Sequence, residues 1–146
     1  MIDASVLANV VGDDGIDGRR ARTELRTAGD LAAPDLVDVE TVAVLRKRWI
    51  AGSISDGRFA SAIGDLEDID LDRYPALRFM RRAWELRANV TAYDAAYVAL
   101  AEILNCELWT ADQRLANAPG PKCAIRVCGN PGMPACDWPA ESAGEA

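Results

Sequence analysis

Four acidic residues stand out for the chemistry they offer: Asp3, Glu40, Asp94 and Asp112. Each falls at an expected strand exit or in the opening turn of a helix, and each, taken alone, has a structural use. Asp3 can start a turn, Asp94 follows Thr91 at the spacing of a capping box, and Asp112 follows Thr110 where the helix dipole favours a negative charge. Glu40 and Asp94 carry a further signal. Glu40 is flanked at helical spacing by Leu36, Val37, Ala43 and Val44, and Asp94 by Val90, Tyr97 and Val98, which predicts both on apolar faces turned toward a sheet. A carboxylate there costs several kcal/mol unless it is paired or binds a cation. Two carboxylates about 4 Å apart repel by about 1 kcal/mol in water and about 4 kcal/mol near a protein surface, so several in one pit take up protons or a cation. Oxygen-only ligands select Mg2+ or Mn2+ over zinc or copper. Such an ion stabilises the charge that develops when water attacks a phosphodiester.

The composition excludes the main competitors. The 146 residues suit one domain and include no histidine, so serine–histidine and cysteine–histidine triads, His-ligated zinc and a histidine acid–base pair are ruled out. Cys106, Cys123, Cys128 and Cys136 contain no C-x-x-C spacing, and a four-thiolate zinc site is not expected. No apolar run approaches the roughly 20 residues of a membrane span, and the opening Met1-Ile2-Asp3 lacks the pattern of a secretory signal. A cytoplasmic protein with reduced thiols and no membrane association is therefore expected. With 16 basic and 23 acidic residues the net charge is −7, unlike the basic domains that bind nucleic acid without selectivity. The basic residues are nevertheless clustered, at Arg19, Arg20, Arg22 and Arg26, at Arg46, Lys47 and Arg48, and at Arg78, Arg81, Arg82 and Arg87. A basic rim can coexist with an acidic pit.

The elements that must position the acids follow from apolar spacing and end signals. After the apolar start Met1-Ile2, which runs into Asp3–Ala8, a helix is predicted over about 18–28 and a short strand at Leu31–Ala33. Pro34 suits the first turn of a helix reaching about Ala51 and closed by Gly52. Ser55 and Asp56 can cap a further helix whose buried face carries Phe59, Ile63 and Leu66, followed by a strand at Ile69–Leu71. Helices are predicted from about Ala76 to Arg87 and from Thr91 to near Asn105, then a strand at Glu107–Thr110, a short helix over 112–118 and a last strand at Cys123–Cys128. This alternation implies an α/β fold with a central, mainly parallel sheet flanked by helices on both faces, and a site beyond the carboxyl ends of the strands. From Gly129 onward six of eighteen residues are Pro or Gly, so 1–128 reads as the domain and 129–146 as a mobile tail.

In order along the chain, Asp3-Ala4-Ser5, Glu40 within Leu36–Glu40, the run Thr91–Ala101 containing Asp94, and Thr110-Ala111-Asp112-Gln113-Arg114-Leu115 resemble a PIN-domain ribonuclease of the VapC toxin type. The resemblance spans about residues 1–128. It implies a PIN-like fold, RNA as substrate, and a type II toxin–antitoxin system with a VapB-type antitoxin as partner. It also implies a homodimer, and catalysis by Asp3, Glu40, Asp94 and Asp112 with Mg2+ or Mn2+ as cofactor, Asp3 and Asp94 being the principal metal ligands. By family analogy the target is a structured RNA, a transfer RNA or a ribosomal RNA loop. Ser5 and Thr110 serve either to orient groups at the site or as caps and turns. Two features depart from the family pattern. Only two residues precede Asp3, so either the first strand is clipped or the start is assigned late, and the tail with Cys136 and Trp138 exceeds the usual domain. A phosphatase with an aspartate nucleophile wants an acid where Ser5 stands, and a receiver domain wants its phosphorylated aspartate at a strand end rather than inside a helical pattern. The remaining alternative is an inactive, metal-stabilised RNA- or protein-binding module. Asp38, with Thr41 and Val42 at its helical +3 and +4 positions, is expected to matter less than Glu40.

Overall fold

The computed structural model describes residues 1–128; the expected tail, 129–146, lies outside the described residues. In chain order the elements are α1 (Ala4–Gly12), α2 (Ile16–Thr27), β1 (Ala32–Pro34), α3 (Val37–Ile50), α4 (Asp56–Asp68) and β2 (Asp72–Tyr74). A 3-10 turn (Ala76–Phe79) then leads into α5 (Met80–Leu86), followed by α6 (Ala92–Leu104), β3 (Leu108–Thr110), α7 (Gln113–Asn117) and β4 (Ile125–Val127).

Two parallel ladders form, β1 with β2 and β3 with β4. The first three residues join them. The Ile2 amide donates to Ala32 O at 3.1 Å, while on the other side Trp109 N donates to Met1 O and Asp3 N to Trp109 O, at 2.9 and 3.0 Å. Short as it is, Met1–Asp3 therefore runs between β1 and β3, with Ile2 bridged in parallel to Trp109. The helices form two groups that both touch strands: α1 packs on α2, α3 and α4, and α6 packs on α5, β1 and β3.

The two helices nearest the strands are buried over most of their length. In α1, Ala4, Val6, Leu7, Ala8, Val10 and Val11 are buried, and in α6 every residue from Ala95 to Ala101 is. A helix buried all round shows no amphipathic period, so the spacing alone does not assign α1. Gly12 ends α1 against Leu45 of α3, where a Cβ would collide with that side chain.

The structure shifts several predicted boundaries. Pro34 lies in β1, in register with Tyr74, and not in a helix. The Asp35 amide continues that pairing by donating to Tyr74 O at 2.8 Å, so α3 starts only at Val37. The strand predicted at Ile69–Leu71 forms three residues later, at Asp72–Tyr74, because Leu71 is drawn into the core and Asp72 pairs with Ala32. The helix predicted from Ala76 to Arg87 divides into the 3-10 turn and α5. Thr91 and Asn105 end α6 as expected, with Asn105 in the left-handed region at φ 49°.

Candidate active site

Asp3, Glu40 and Asp112 follow three neighbouring parallel segments: Met1–Asp3, β1 and β3. They consequently gather at one edge of the sheet, the edge where its carboxyl ends lie. Asp94 reaches the same edge from the first turn of α6.

Asp3 is the most deeply buried of the four, with 6% of its surface exposed. Its Oδ1 caps α1 by accepting the Val6 amide at 3.1 Å, and accepts the Ser5 hydroxyl at 2.5 Å. Burial pushes the carboxyl above the usual carboxylate range, although hydrogen bonds from Ser5, Thr110 and Val6 oppose the shift. Ser5 Oγ also accepts the Ala111 amide at 2.9 Å, and Thr110 Oγ1 accepts the Asp112 amide at 3.0 Å. Both hydroxyls thus tie Asp3 to the segment that carries Asp112.

Glu40 lies in the first turn of α3, half-buried. Its Oε2 accepts the Tyr97 hydroxyl at 2.5 Å. Burial raises the Glu40 carboxyl, the Tyr97 bond lowers it, and the charges of Asp94 and Asp3 raise it further. Those last two influences place both Asp94 and Asp3 within electrostatic reach of Glu40.

Asp94 turns back on its own cap: Thr91 Oγ1 accepts the Asp94 amide at 3.1 Å and donates to Oδ2 at 2.8 Å. Asp94 and Asp112 line one cleft of about 230 Å3 together with Asn89, Thr91 and Arg114. Asp112 caps α7 through the Arg114 amide and meets the Arg114 guanidinium at 3.3 and 3.1 Å. That pairing holds its carboxyl below the usual range.

Sequence reasoning placed the four acids at one edge but misjudged their burial. Glu40 and Asp94 are half-buried, whereas Asp3, which has an innocent reading as a turn residue, is enclosed. Capping and the acidic cluster are also not alternatives, since Asp3 and Asp112 do both. Among the described residues no three acids stand close enough to form a ready-made ion cage; each is held by a local donor instead. Tyr97 and Arg114 escaped the sequence reading as site residues, although Tyr97 lies one helical turn from Asp94 and Arg114 two residues from Asp112.

The arginine clusters divide. Arg22 donates to Val10 O and Asp13 O, Arg48 to Ala8 O and Asn9 Oδ1, and Arg82 pairs with Glu102 and Glu85. These three hold helix ends and loops rather than a free surface. Asp38 forms a two-point pair with Arg73, at 2.7 and 3.0 Å, away from the acids. A larger groove of about 820 Å3 lies between α1, α2 and the end of α4, lined by Val10, Val11, Leu25 and Ile69, by Arg22 and Arg26, and by Asp30, Asp65, Asp68, Asp70 and Asp72. No helix among the described residues is long and apolar enough to cross a membrane.

The PIN domain family matches residues 1–121, and the chain belongs to that family. Its relatives within it are VapC ribonucleases. It is 42% identical over 130 residues to VapC ribonuclease Mb0985 of Mycobacterium bovis, covering 87% of this chain and 96% of that protein. It is 36% identical over 128 residues to Ribonuclease VapC1 of Mycobacterium tuberculosis, with 87% and 96% covered. Among solved structures, Mycobacterium tuberculosis VapC20, described as a sarcin-ricin loop cleaving toxin, shares the fold with a TM-score of 0.63 at 14% identity, over 80% of this chain and 92% of that one. PAE2754 from Pyrobaculum aerophilum aligns with a TM-score of 0.58 at 25% identity, over 85% and 80%.

Proposed function

We propose that this protein is a divalent-metal-dependent endoribonuclease that cleaves structured RNA, a transfer RNA or a ribosomal RNA, as the toxin of a type II toxin–antitoxin pair. The observation that carries the reading is the gathering of Asp3, Glu40, Asp94 and Asp112 at one sheet edge. There the charges of Asp3 and Asp94 both bear on Glu40, and Asp94 shares a cleft with Asp112. Relatives named as ribonucleases support the same chemistry.

The donor set fits Mg2+ or Mn2+. Every candidate ligand atom is a carboxylate oxygen, and the buried Asp3 is held only by neutral hydroxyls and amides. Magnesium takes one or two carboxylates and completes its shell with water, so Asp3 and Asp94 suffice without a three-acid cage. When bound, the ion neutralises charge developing on the phosphodiester. The remaining roles belong to the chain. Glu40, anchored at Oε2 by Tyr97, keeps Oε1 to accept the proton of the attacking water. Arg114, whose side chain is 92% exposed at the mouth of the cleft, contacts a phosphate and so positions RNA without reading its sequence.

The partner is a VapB-type antitoxin. The groove beside α1, α2 and α4, apolar in part and lined by more aspartates than arginines, suits a basic amphipathic segment. An arginine from that partner, with its planar donor fork, would silence the site by entering among the acids. A homodimer accords with the exposure of Leu77 and Tyr93, 83% and 64%, on the 3-10 turn and on the α6 helix it packs against.

The deciding experiment is cleavage of end-labelled RNA with Mg2+ or Mn2+ and with EDTA. Cutting is expected only with the ion. If no RNA is cut while the ion still raises the melting temperature, the enzyme reading fails and a metal-stabilised binding module takes its place. Co-expression with the product of a neighbouring antitoxin gene is expected to give a silent complex; a nuclease indifferent to that product at micromolar excess would refute the toxin role alone.

A further inference from the structure

The pairing of β3 with β4 sets Leu108 opposite Ile125, Trp109 opposite Arg126 and Thr110 opposite Val127. The first step of this pairing is closed by Leu108 N donating to Ala124 O at 2.9 Å. Cys106 and Cys123 each stand two residues before that first step, at equal offsets along the two chains. Neighbouring strands run about 4.8 Å apart, so residues at equal offsets just before a paired step start near the roughly 4.4–6.8 Å Cα separation of disulfides. Both cysteines are half-buried and pack against the same hydrophobic core, and a charge on Cys106 bears on Cys123.

Both positions are held. The Cys106 amide donates to Ala101 O at 3.0 Å, closing the end of α6 just after the left-handed Asn105. Lys122, beside Cys123, donates its amide to Glu102 Oε1 at 2.8 Å. Cys128 is placed differently: it is buried, it donates its amide to Thr110 O, and the register sets it opposite Ala111.

We propose that Cys106 and Cys123 are a redox pair that closes to a disulfide under oxidising conditions, stapling the start of β3 to the start of β4. The oxidant is a small disulfide such as oxidised glutathione. The Cys106 thiolate attacks one of its sulfurs and expels one thiolate. Cys123 then loses its proton and attacks the Cys106 sulfur, expelling the second. Two electrons pass from the protein thiols to the oxidant, and the two protons they release accompany the two glutathione thiols formed. Burial pushes the Cys123 thiol up, so it suits the slower, resolving role. The closed loop, 106–123, contains Thr110, Asp112 and Arg114, so oxidation stiffens one side of the acidic site.

The pair is tested on the full chain, with no reference to RNA cleavage. After incubation with oxidised glutathione and alkylation of remaining thiols, trypsin releases Cys106 in peptide 88–114 and Cys123 in peptide 123–126, while Cys128 and Cys136 share peptide 127–146. The expected product is 88–114 linked to 123–126, with a rise in Tm of about 5 °C or more that dithiothreitol reverses. That rise should be absent in Cys106→Ser and in Cys123→Ser. A link from either cysteine to 127–146, glutathione adducts without a cross-link, or four freely alkylated thiols would each overturn the proposal, whether or not the variants fold.

Discussion

Tyr97 Oη donates a 2.5 Å hydrogen bond to Glu40 Oε2, joining α6 to α3 across 57 residues of sequence. The bond opposes the two effects that push the Glu40 carboxyl up, its burial and the charges of Asp94 and Asp3. Tyr97→Phe removes the donor and keeps the ring. The expected result is a loss of about 1 kcal/mol in stability and a fall in RNA cleavage that is largest at low pH, because Glu40 then stays protonated to a higher pH. The acid limb of the pH–rate profile should move upward. An unmoved limb would remove Glu40 from the proton-accepting role.

The Asp3→Asn, Asp94→Asn double variant should lose the thermal stabilisation that Mg2+ or Mn2+ gives the wild type, and with EDTA it should be at least as stable as the wild type. Asp3→Asn alone carries a pH signature. Burial raises the folded-state pKa of Asp3 above its unfolded value, so its contribution is most favourable below the unfolded pKa near 3.8 and is lost as pH rises through the folded one. Melting in EDTA should therefore show the variant gaining on the wild type as pH rises from 4 to about 7. A pH-independent difference would contradict the burial argument.

Glu40→Gln and Asp112→Asn keep shape and remove charge, and each should lower cleavage by about a hundredfold or more, with circular dichroism unchanged. Asp38→Asn is the informative comparison. It breaks the pair with Arg73 and should cost up to about 1 kcal/mol of stability while leaving cleavage near wild type. Equal losses in all three variants would mean that general destabilisation, not site chemistry, was being measured.

Arg82 bridges Glu102 of α6 at 2.8 and 3.0 Å and reaches Gly120 O, so it clamps the segment before β4 to the helices. Burial alone would raise Glu102, but the Arg82 bond and the Lys122 amide outweigh it and hold the carboxyl down. The contribution is present above the unfolded pKa near 4.5 and is lost as pH falls through the lower folded value. Glu102→Gln should cost about 1–2 kcal/mol at pH 7 and much less near pH 3, as read by urea unfolding.

The order of the acids and the ends of α6 were legible because caps and apolar runs are local signals: Thr91 and Asn105 mark α6 in the sequence as they do in the fold. What was illegible arises from contacts made elsewhere in the chain. Pro34 reads as a helix starter until Tyr74 pairs beside it, and the helix Ala4–Gly12 is hidden because all of it but Ser5 and Asn9 is apolar or glycine. Tyr97 reads as one more core residue on an alanine-rich face; only the approach of α3 gives its hydroxyl a carboxylate. The enclosure of Asp3 was illegible because two flanking residues cannot reveal that both edges of Met1–Asp3 are paired.

That double pairing has a temporal consequence. Residues 1–3 leave the ribosome long before Trp109, one of their two hydrogen-bonded neighbours. The central segment of the sheet must wait, half-made, until β3 has been synthesised, and Asp3 cannot be enclosed before then. A chain held on the ribosome with its exposed part ending at Cys106 should yield its amino terminus to protease, whereas one extending past Cys128 should protect it. Asp3 is thereby kept out of its enclosed position until most of the described domain has been made.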